Sequence, residues 1–212
     1  MNWTGVKGLL ANWPLPQGYR LEQLRRADVP ELIGCVKEWY PDIIVGAVGC
    51  YLQEDFYLRQ VFLEGESEKE VMVILLRKDP ELAGMLSLER DQHNLTLYCG
   101  LGVLAPKHRG AKLANLAPLA LETMGRALGM EVIYYITTLR SPHMQAVAET
   151  AGFRLVGILP GSDRAMVAPG VVKRVYEAVY IKVLVPEAEL LRPKPEYLTP
   201  KTKVLFDVLF PE

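Results

Sequence analysis

The segment VIYYITTL, residues 132–139, has no polar face. Its β-branched and aromatic residues predict a strand, and a strand that is apolar on both sides has to be covered on both sides. The rest of the chain must then supply a sheet around it and helices above and below. Candidate helices flank it. Over 112–129, Leu113, Leu116, Ala117, Ala120, Leu121, Met124 and Leu128 form one helical stripe. Pro118 falls inside that pattern, on the outer face with Asn115, Glu122 and Arg126, where a kink is expected. After the strand, Ser141 reads as an N-cap with Pro142 at the first helical position. Met144, Val147, Ala148 and Ala151 then make an inner stripe, and Gly152 is the stop signal.

The remaining elements alternate in the same way. Residues 19–25 predict a strand; Asp28 and Glu31 predict a capping box on a helix that runs to Trp39 and ends before Pro41. A helical pattern over 51–63 leads to the acidic turn EGESEKE. Two strand-like runs, 71–77 and 82–90, then flank KDPE as a hairpin, and 94–103 is a third strand. Near the end, 153–159 and 172–184 read as strands joined by a loop, PGSDRAMVAPG. The order β-α-α-β-β-β-α-β-α-β-β predicts one mixed α/β (α+β) domain over 19–185, with an N-terminal extension, 1–18, and a proline-rich tail, 186–212. Within the tail, KVLFDVLF (203–210) is too apolar to stay solvated. It is expected to dock on its own domain or, as the alternative, on a second subunit of a homodimer.

Composition narrows the partners. Of 212 residues, half are hydrophobic, enough for a sizeable core. Lys and Arg total 24 against 25 Asp and Glu, so a net charge of −1 offers no field for nucleic acid or an anionic membrane. Cys35, Cys50 and Cys99 are odd in number and widely spaced, which argues against a disulfide framework and a zinc site and points to a reduced, cytoplasmic compartment. The N-terminus lacks a sustained apolar run of the secretory type, and the longest uncharged apolar stretch, IIVGAVGCYLQ, is shorter than the ~20 residues of a membrane span. No metal, nucleic acid or membrane partner is expected.

The stretch LGVLAPKHRGAKLANLA, 101–117, carries the main functional signal. An apolar strand breaks at Pro106, turns basic over Lys107, His108 and Arg109, and restarts after Gly110 as a helical pattern. A helix N-terminus offers unpaired N–H groups and the positive end of the dipole, so beside Arg109 it suits a phosphate or pyrophosphate. Lys107 and His108 read as solvated loop residues. Neither G-x-x-x-x-G-K-[ST] nor G-x-G-x-x-G occurs, which disfavours the common nucleotide-binding folds.

Strand order and this loop together resemble the GNAT acyltransferase superfamily over about residues 19–185. The family's pyrophosphate loop reads V-x-P-x-x-R-G-x-G-x-G/A; here Leu104, Pro106, Arg109, Gly110 and Ala114 fall in register, and Lys112 stands in place of the second glycine. SPHMQAVAETAGFRLVG, anchored by Gly152 and Phe153, is similar to the family's next helix and splayed strand. The resemblance implies a mostly antiparallel central sheet flanked by helices and splayed at a coenzyme A site. It also implies acetyl-CoA as co-substrate, held by Val103, Leu104, Arg109, Gly110, Ala111, Lys112, Leu113, Ala114 and Ser141. Ala148 lies where many members carry the tyrosine that protonates the departing thiolate.

Catalytic candidates come from two strands. Glu177 is a lone carboxylate on a strand face with Val175, Val179, Ile181 and Val183, a position that demands a cleft or a partner. Tyr98 precedes the loop, where the implied cleft opens, and its neighbour Cys99 reads as a core thiol. Tyr176 and Tyr180, on the opposite face from Glu177, read as packing residues. The expected activity is direct acetyl transfer from acetyl-CoA to an amine of a small molecule or protein. The alternative is a catalytically inactive acyl-CoA-binding sensor or scaffold, which the missing tyrosine permits.

Overall fold

The computed structural model describes all residues except Met1, Thr4, Gly5, Val6, Asn12, Ala111, Lys112, Ala114 and Glu212, and does not describe the side chains of Lys7 and Ala11. Its elements are α1 (Lys7–Ala11), β1 (Tyr19–Gln23), α2 (Val29–Trp39), α3 (Glu54–Gln60), β2 (Val71–Lys78), β3 (Glu81–Asp91), β4 (Thr96–Leu104), α4 (Leu116–Ala127), β5 (Val132–Thr138), α5 (His143–Thr150), β6 (Arg154–Ala168), β7 (Val171–Val183) and α6 (Pro200–Leu209). The strands form one sheet in the order β1-β2-β3-β4-β5-β7-β6. Every strand pair is antiparallel except β4 with β5.

The sheet separates two cores. On one face Met72, Ile74, Leu86 and Ile133 pack with Leu121 and Met124 of α4 and with Ala148 of α5; Trp3 and Leu10 from the N-terminal segment are buried in the same cluster. On the other, Val73, Leu75 and Met85 pack with Leu32 and Val36 of α2 and with Tyr57 of α3. Because β2 serves both cores, Val71 to Leu76 are all buried. β5 lies inside the sheet as VIYYITTL predicts, but it is tightly covered on one side only. Ile133 and Tyr135 are buried on the α4 and α5 side, and the alternate Val132, Tyr134 and Ile136 are half-buried.

Several expectations shift once tertiary packing is present. The 51–63 pattern splits into a 3₁₀ turn, Ala47–Leu52, and the shorter α3. α4 starts at Leu116, because Leu113 is drawn into the core and the N–H of Leu116 bonds back to the Leu113 carbonyl (3.0 Å), closing a tight turn first. Pro118 therefore falls in the first helical turn, where no intrahelical acceptor is lost, and it is buried rather than outward-facing, so the basis for a kink is gone. The segment read as a loop, PGSDRAMVAPG, is strand up to Ala168, and only Pro169 and Gly170 turn: β6 and β7 form a long bulged ribbon. α5 ends as predicted, with Gly152 at φ +79°. The N–H of Gly152 bonds the Glu149 carbonyl (2.9 Å) and that of Phe153 bonds Ala148 (3.0 Å), a Schellman closure.

No capping box forms at α2. The Asp28 side chain makes no cap bond, and it and Glu31 turn instead to Arg77 on β2. The Arg77 side chain is only 8% exposed and also meets Glu22 of β1, so one guanidinium joins two strands and a helix. Removing one member of a buried ionic group leaves uncompensated charge. Arg77→Ala is expected to lower unfolding free energy by about 3–5 kcal/mol, read from urea denaturation; a change within experimental error refutes the brace.

Candidate functional site

Strands β4 and β5 pair over three residues only, Thr96 to Tyr98 against Val132 to Tyr134, and then part. From Cys99 onward β4 has no strand neighbour on that edge among the described residues, so its backbone groups there are available to a ligand. The separation coincides with a bulge. Ser87 pairs with Leu101 and Leu88 with Cys99, which leaves Gly100 as an extra residue in β4. A side chain at Gly100 would collide with the Glu89 carboxylate and lie 2.6 Å from the Tyr51 hydroxyl.

Around the bulge stands a polar group in an otherwise apolar layer. The Tyr51 oxygen is 2.6 Å from Ser87 Oγ and 3.0 Å from Glu89 Oε1. With Ser87 donating to Tyr51 and Tyr51 donating to Glu89, every proton has an acceptor. Burial holds the Glu89 carboxyl above the ordinary glutamate value, against the opposing hydrogen bond from Tyr51. Tyr98 is the register partner of Glu89 across β3 and β4. Burial first, then the negative potential of Cys99, Glu89, Glu177 and Asp163, pushes its hydroxyl up as well. Burial pushes the Cys99 thiol up to about 12, in keeping with a core thiol facing the opposite cluster.

Glu177 lies opposite Thr138 of β5 and Leu159 of β6 and is half-buried. Its carboxylate accepts from Ser162 Oγ (2.7 Å), a partner supplied by the segment that the sequence presents as a loop. One residue on, Asp163 Oδ1 accepts from the Ala47 N–H (2.9 Å), which fastens the β6–β7 ribbon to the turn after α2. Gly46 makes this approach possible: its φ is +88°, and a Cβ there would lie 2.5 Å from the Asp163 carboxylate. Tyr180 packs as expected, buried with its hydroxyl on Glu149 (2.8 Å). Tyr176 does not; it is 57% exposed, because its face of the ribbon is uncovered.

On the loop side, Pro106–His108 is a 3₁₀ turn and Gly110 has φ +84° with open space around its Cα. The Arg109 guanidinium is exposed, 4.8 Å from the Tyr40 ring centroid, with Nε 3.3 Å from the Leu104 carbonyl and Nη2 3.5 Å from that of Trp39. The side chains of Val103 and Leu113 are buried in the two cores, so only their backbones are free to serve a ligand; Leu104 is half-buried. Ala111, Lys112 and Ala114 lie outside the described residues. Ser141 precedes α5 by two residues and its exposed Oγ accepts from the His143 N–H (3.3 Å).

Two features were not legible beforehand. Thr137 Oγ1, on β5 beyond the point where the strands part, is buried without a partner among the described residues. His108 is buried rather than solvated: Nδ1 lies 2.9 Å from the Tyr19 hydroxyl, and Nε2, 3.7 Å from Glu81, has no hydrogen-bond partner among the described residues. Lys107 also pairs with Glu81. The alternation of Ser87 and Glu89 in LAGMLSLER is the signal that points to the bulge group, since it sets two polar residues on one face of an apolar strand.

Solved structures share this architecture. Spermidine N-acetyltransferase from Vibrio cholerae in complex with CoA and spermine matches with a TM-score of 0.60 and 15% identity, over 79% of this chain and 96% of that one. RimL, a ribosomal alpha-N-protein acetyltransferase, in complex with coenzyme A, matches with a TM-score of 0.59 and 16% identity, over 80% and 96%. The chain has the GNAT fold. IAA acetyltransferase from Bacillus cereus has it too, with a TM-score of 0.55 and 14% identity, over 78% of this chain and 99% of that chain. No protein-family model matches the sequence, and no curated protein does. Among the described residues, no helix of this GNAT-fold chain is long and apolar enough to cross a membrane, and no group of three or more His, Cys, Asp or Glu is placed to hold a metal ion.

The His108 contact generates a stability prediction for the loop of this GNAT fold. Tyr19→Phe strips the buried imidazole of its one hydrogen bond and is expected to cost about 1–3 kcal/mol, the penalty of an unsatisfied buried group, measured by thermal or urea unfolding. Unchanged stability contradicts a role for Tyr19 in holding the loop.

Proposed function

We propose that the protein transfers the acetyl group of acetyl-CoA directly to an amine of a small molecule or protein. The observation that carries this reading is the coincidence, at one bulge, of a free β4 edge, the half-buried Glu89 carboxylate and the turn bearing Arg109. The residues present suit the coenzyme. The unpaired backbone of β4 from Cys99 to Leu104 offers the N–H and C=O groups that a pantetheine chain needs, and Thr137 offers an unused hydroxyl. Arg109, Gly110 and the turn at 106–108 stand where strand β4 ends, and an exposed guanidinium held only by carbonyls and a ring can turn to a pyrophosphate. The backbone positions 111–114 and Ser141 complete this proposed set.

Acetyl-CoA supplies an activated acyl carbon. The amine must arrive as a free base, so a proton has to leave the ammonium first. Glu89 is the proposed base: its raised proton affinity suits it to the task, and Tyr51 and Ser87 hold it in place. Tyr98 and Glu177 line the acceptor side, where their polar groups and that of Asp163 favour a cationic amine. The amine nitrogen then forms the new C–N bond, the C–S bond breaks, and the thiolate takes up a proton. Ala148 is fully buried in the core, so α5 contributes no acid at the position usual for the family. That same observation favours a second reading, an acyl-CoA-binding module without turnover; thiol release from acetyl-CoA over a panel of amines and peptides separates the two.

Arg109→Ala is expected to weaken acetyl-CoA binding by about 1.5–3 kcal/mol, the loss of a charge-assisted phosphate bond, in calorimetry; an unchanged affinity removes Arg109 from the site. For Glu89→Gln, turnover should fall roughly 10²- to 10⁴-fold with coenzyme affinity retained. The wild-type rate should rise with pH as Glu89 deprotonates, with a midpoint above the ordinary 4.5. Because the folded carboxyl is harder to ionise than the unfolded one, its contribution to stability is greatest at low pH and is lost as pH rises through the folded value. The glutamine variant should therefore melt higher than wild type at neutral pH; lower stability with full turnover would overturn the assignment.

A further inference from the structure

The turn that follows β4 buries an imidazole with one nitrogen unused. His108 is 7% exposed, and Tyr19 meets its Nδ1, but its Nε2 is sealed from solvent with no hydrogen-bond partner among the described residues. Across from it, at the start of β3, Glu81 Oε2 is 3.7 Å away, and Lys107 pairs with that same oxygen. The other groups around the ring are mostly cationic. Lys78, at the end of β2, lies over the Tyr19 ring (5.1 Å), and Arg109, next in the turn, faces Tyr40 and the Trp39 carbonyl. From α2, Cys35 feels the Lys107 charge, and burial holds its thiol above the ordinary value. Asp79, in the β2–β3 turn, is taken up by Arg20. That leaves Glu81 as the anion facing His108 among the described residues. The hydrogen bond from Lys107 holds the Glu81 carboxyl below the usual glutamate value, so it is ionised throughout the range of about pH 5–8 in which an imidazole ordinarily changes charge.

We propose that His108 is a proton-operated latch on the coenzyme turn: when its ring takes up a proton, Nε2–H closes onto Glu81 and acetyl-CoA binding at 106–110 tightens. The latch rests on the reading that this turn holds the coenzyme's pyrophosphate. In the neutral ring one nitrogen carries a proton and the other is bare, and in neither tautomer does Nε2 meet a partner. In the imidazolium both nitrogens donate; the Tyr19 oxygen accepts from Nδ1 and the Glu81 carboxylate from Nε2, the second bond being charge-assisted. Closing from 3.7 Å to hydrogen-bond length takes about 1 Å of movement, and it ties the turn to the β2–β3 hairpin. The ring also brings a positive charge beside Arg109, little screened because the side chain is buried. Both effects favour an anionic ligand at the turn. Linkage then runs in reverse as well: a bound coenzyme raises the proton affinity of the ring and draws a proton from solution. His108 acts here as a positioning residue, since its proton stays on the ring and never reaches the reacting atoms.

Calorimetry on the full chain with 3′-dephospho-CoA tests this, because that probe keeps the pyrophosphate but lacks the phosphomonoester, which itself titrates near pH ~6. Affinity should rise about 5- to 10-fold from pH ~8 to pH ~5.5, and buffers of different ionisation heat should reveal proton uptake on binding. His108→Gln keeps a polar side chain that cannot become charged, so its affinity should be flat over the same range. Glu81→Gln keeps the histidine at the cost of its acceptor and should lose most of the gain; the Glu81 side chain is 47% exposed, so this variant decides the matter if His108→Gln does not fold. A wild-type affinity that ignores pH, or a pH dependence that survives in His108→Gln or is undiminished in Glu81→Gln, overturns the latch alone. If the wild type binds neither this probe nor acetyl-CoA at any pH, the coenzyme reading falls and the latch with it.

Discussion

One extra residue in β4 governs the arrangement of everything around it. At Gly100 the strand must bend and the ladder to β3 must slip by one, and the absent side chain leaves the space that the Glu89 carboxylate and Tyr51 hydroxyl fill. A bulge adds local twist and re-aims the residues beyond it. β4 consequently leaves β5 after three paired residues, and the same bend exposes a backbone edge on one side while sinking a carboxylate on the other. Any side chain at position 100 would displace Glu89 or straighten the strand. Chemistry and geometry are thus held by one steric requirement.

The loop beyond β4 depends on a second constraint, which reaches it from the far side of the sheet. Arg77 ties α2 to β1 and β2 through Glu22, Asp28 and Glu31, and α2 ends in the residues that touch Arg109: the Trp39 carbonyl and the Tyr40 ring. From the other direction Tyr19 of β1 holds His108. The turn at 106–110 is therefore clamped between the first strand and the end of the first long helix. Both clamps use residues far away in sequence, which suits a loop that must keep its shape without regular structure of its own.

Local signals made much of the fold legible. The 71–77 and 82–90 hairpin and the glycine stop of α5 are encoded by nearest neighbours, and tertiary packing leaves them as they read; the strand character of β5 also holds, though its cover is tight on one side only and α5 starts one residue later than its serine and proline suggest. Where non-local contacts decide, the pattern misleads. PGSDRAMVAPG carries every mark of a loop, but its pairing with β7 and the Asp163 contact to Ala47 hold it extended. Pro118 reads as a kink only while the start of α4 is unknown. Tyr98 and Glu177 stand out as polar groups on apolar strands. Glu89 sits at the end of its strand, where a carboxylate looks ordinary until the bulge shows what surrounds it, and the burial of His108 depends on a tyrosine 89 residues away.

The clasp between Asp163 and Ala47 joins segments 116 residues apart, and it holds the ribbon that carries Glu177 rather than strand β4. The two sides of the proposed site are thus built from separate stretches of chain: the ribbon of β6 and β7 for one, strand β4 and its turn for the other. Substitutions within 160–171 can reshape the ribbon around Glu177 while β4 and its turn stay as they are. Gly46 is the fixed point of that arrangement: with a φ of +88° and the Asp163 carboxylate 2.5 Å from where a Cβ would stand, any larger residue there would lift the ribbon off the turn after α2.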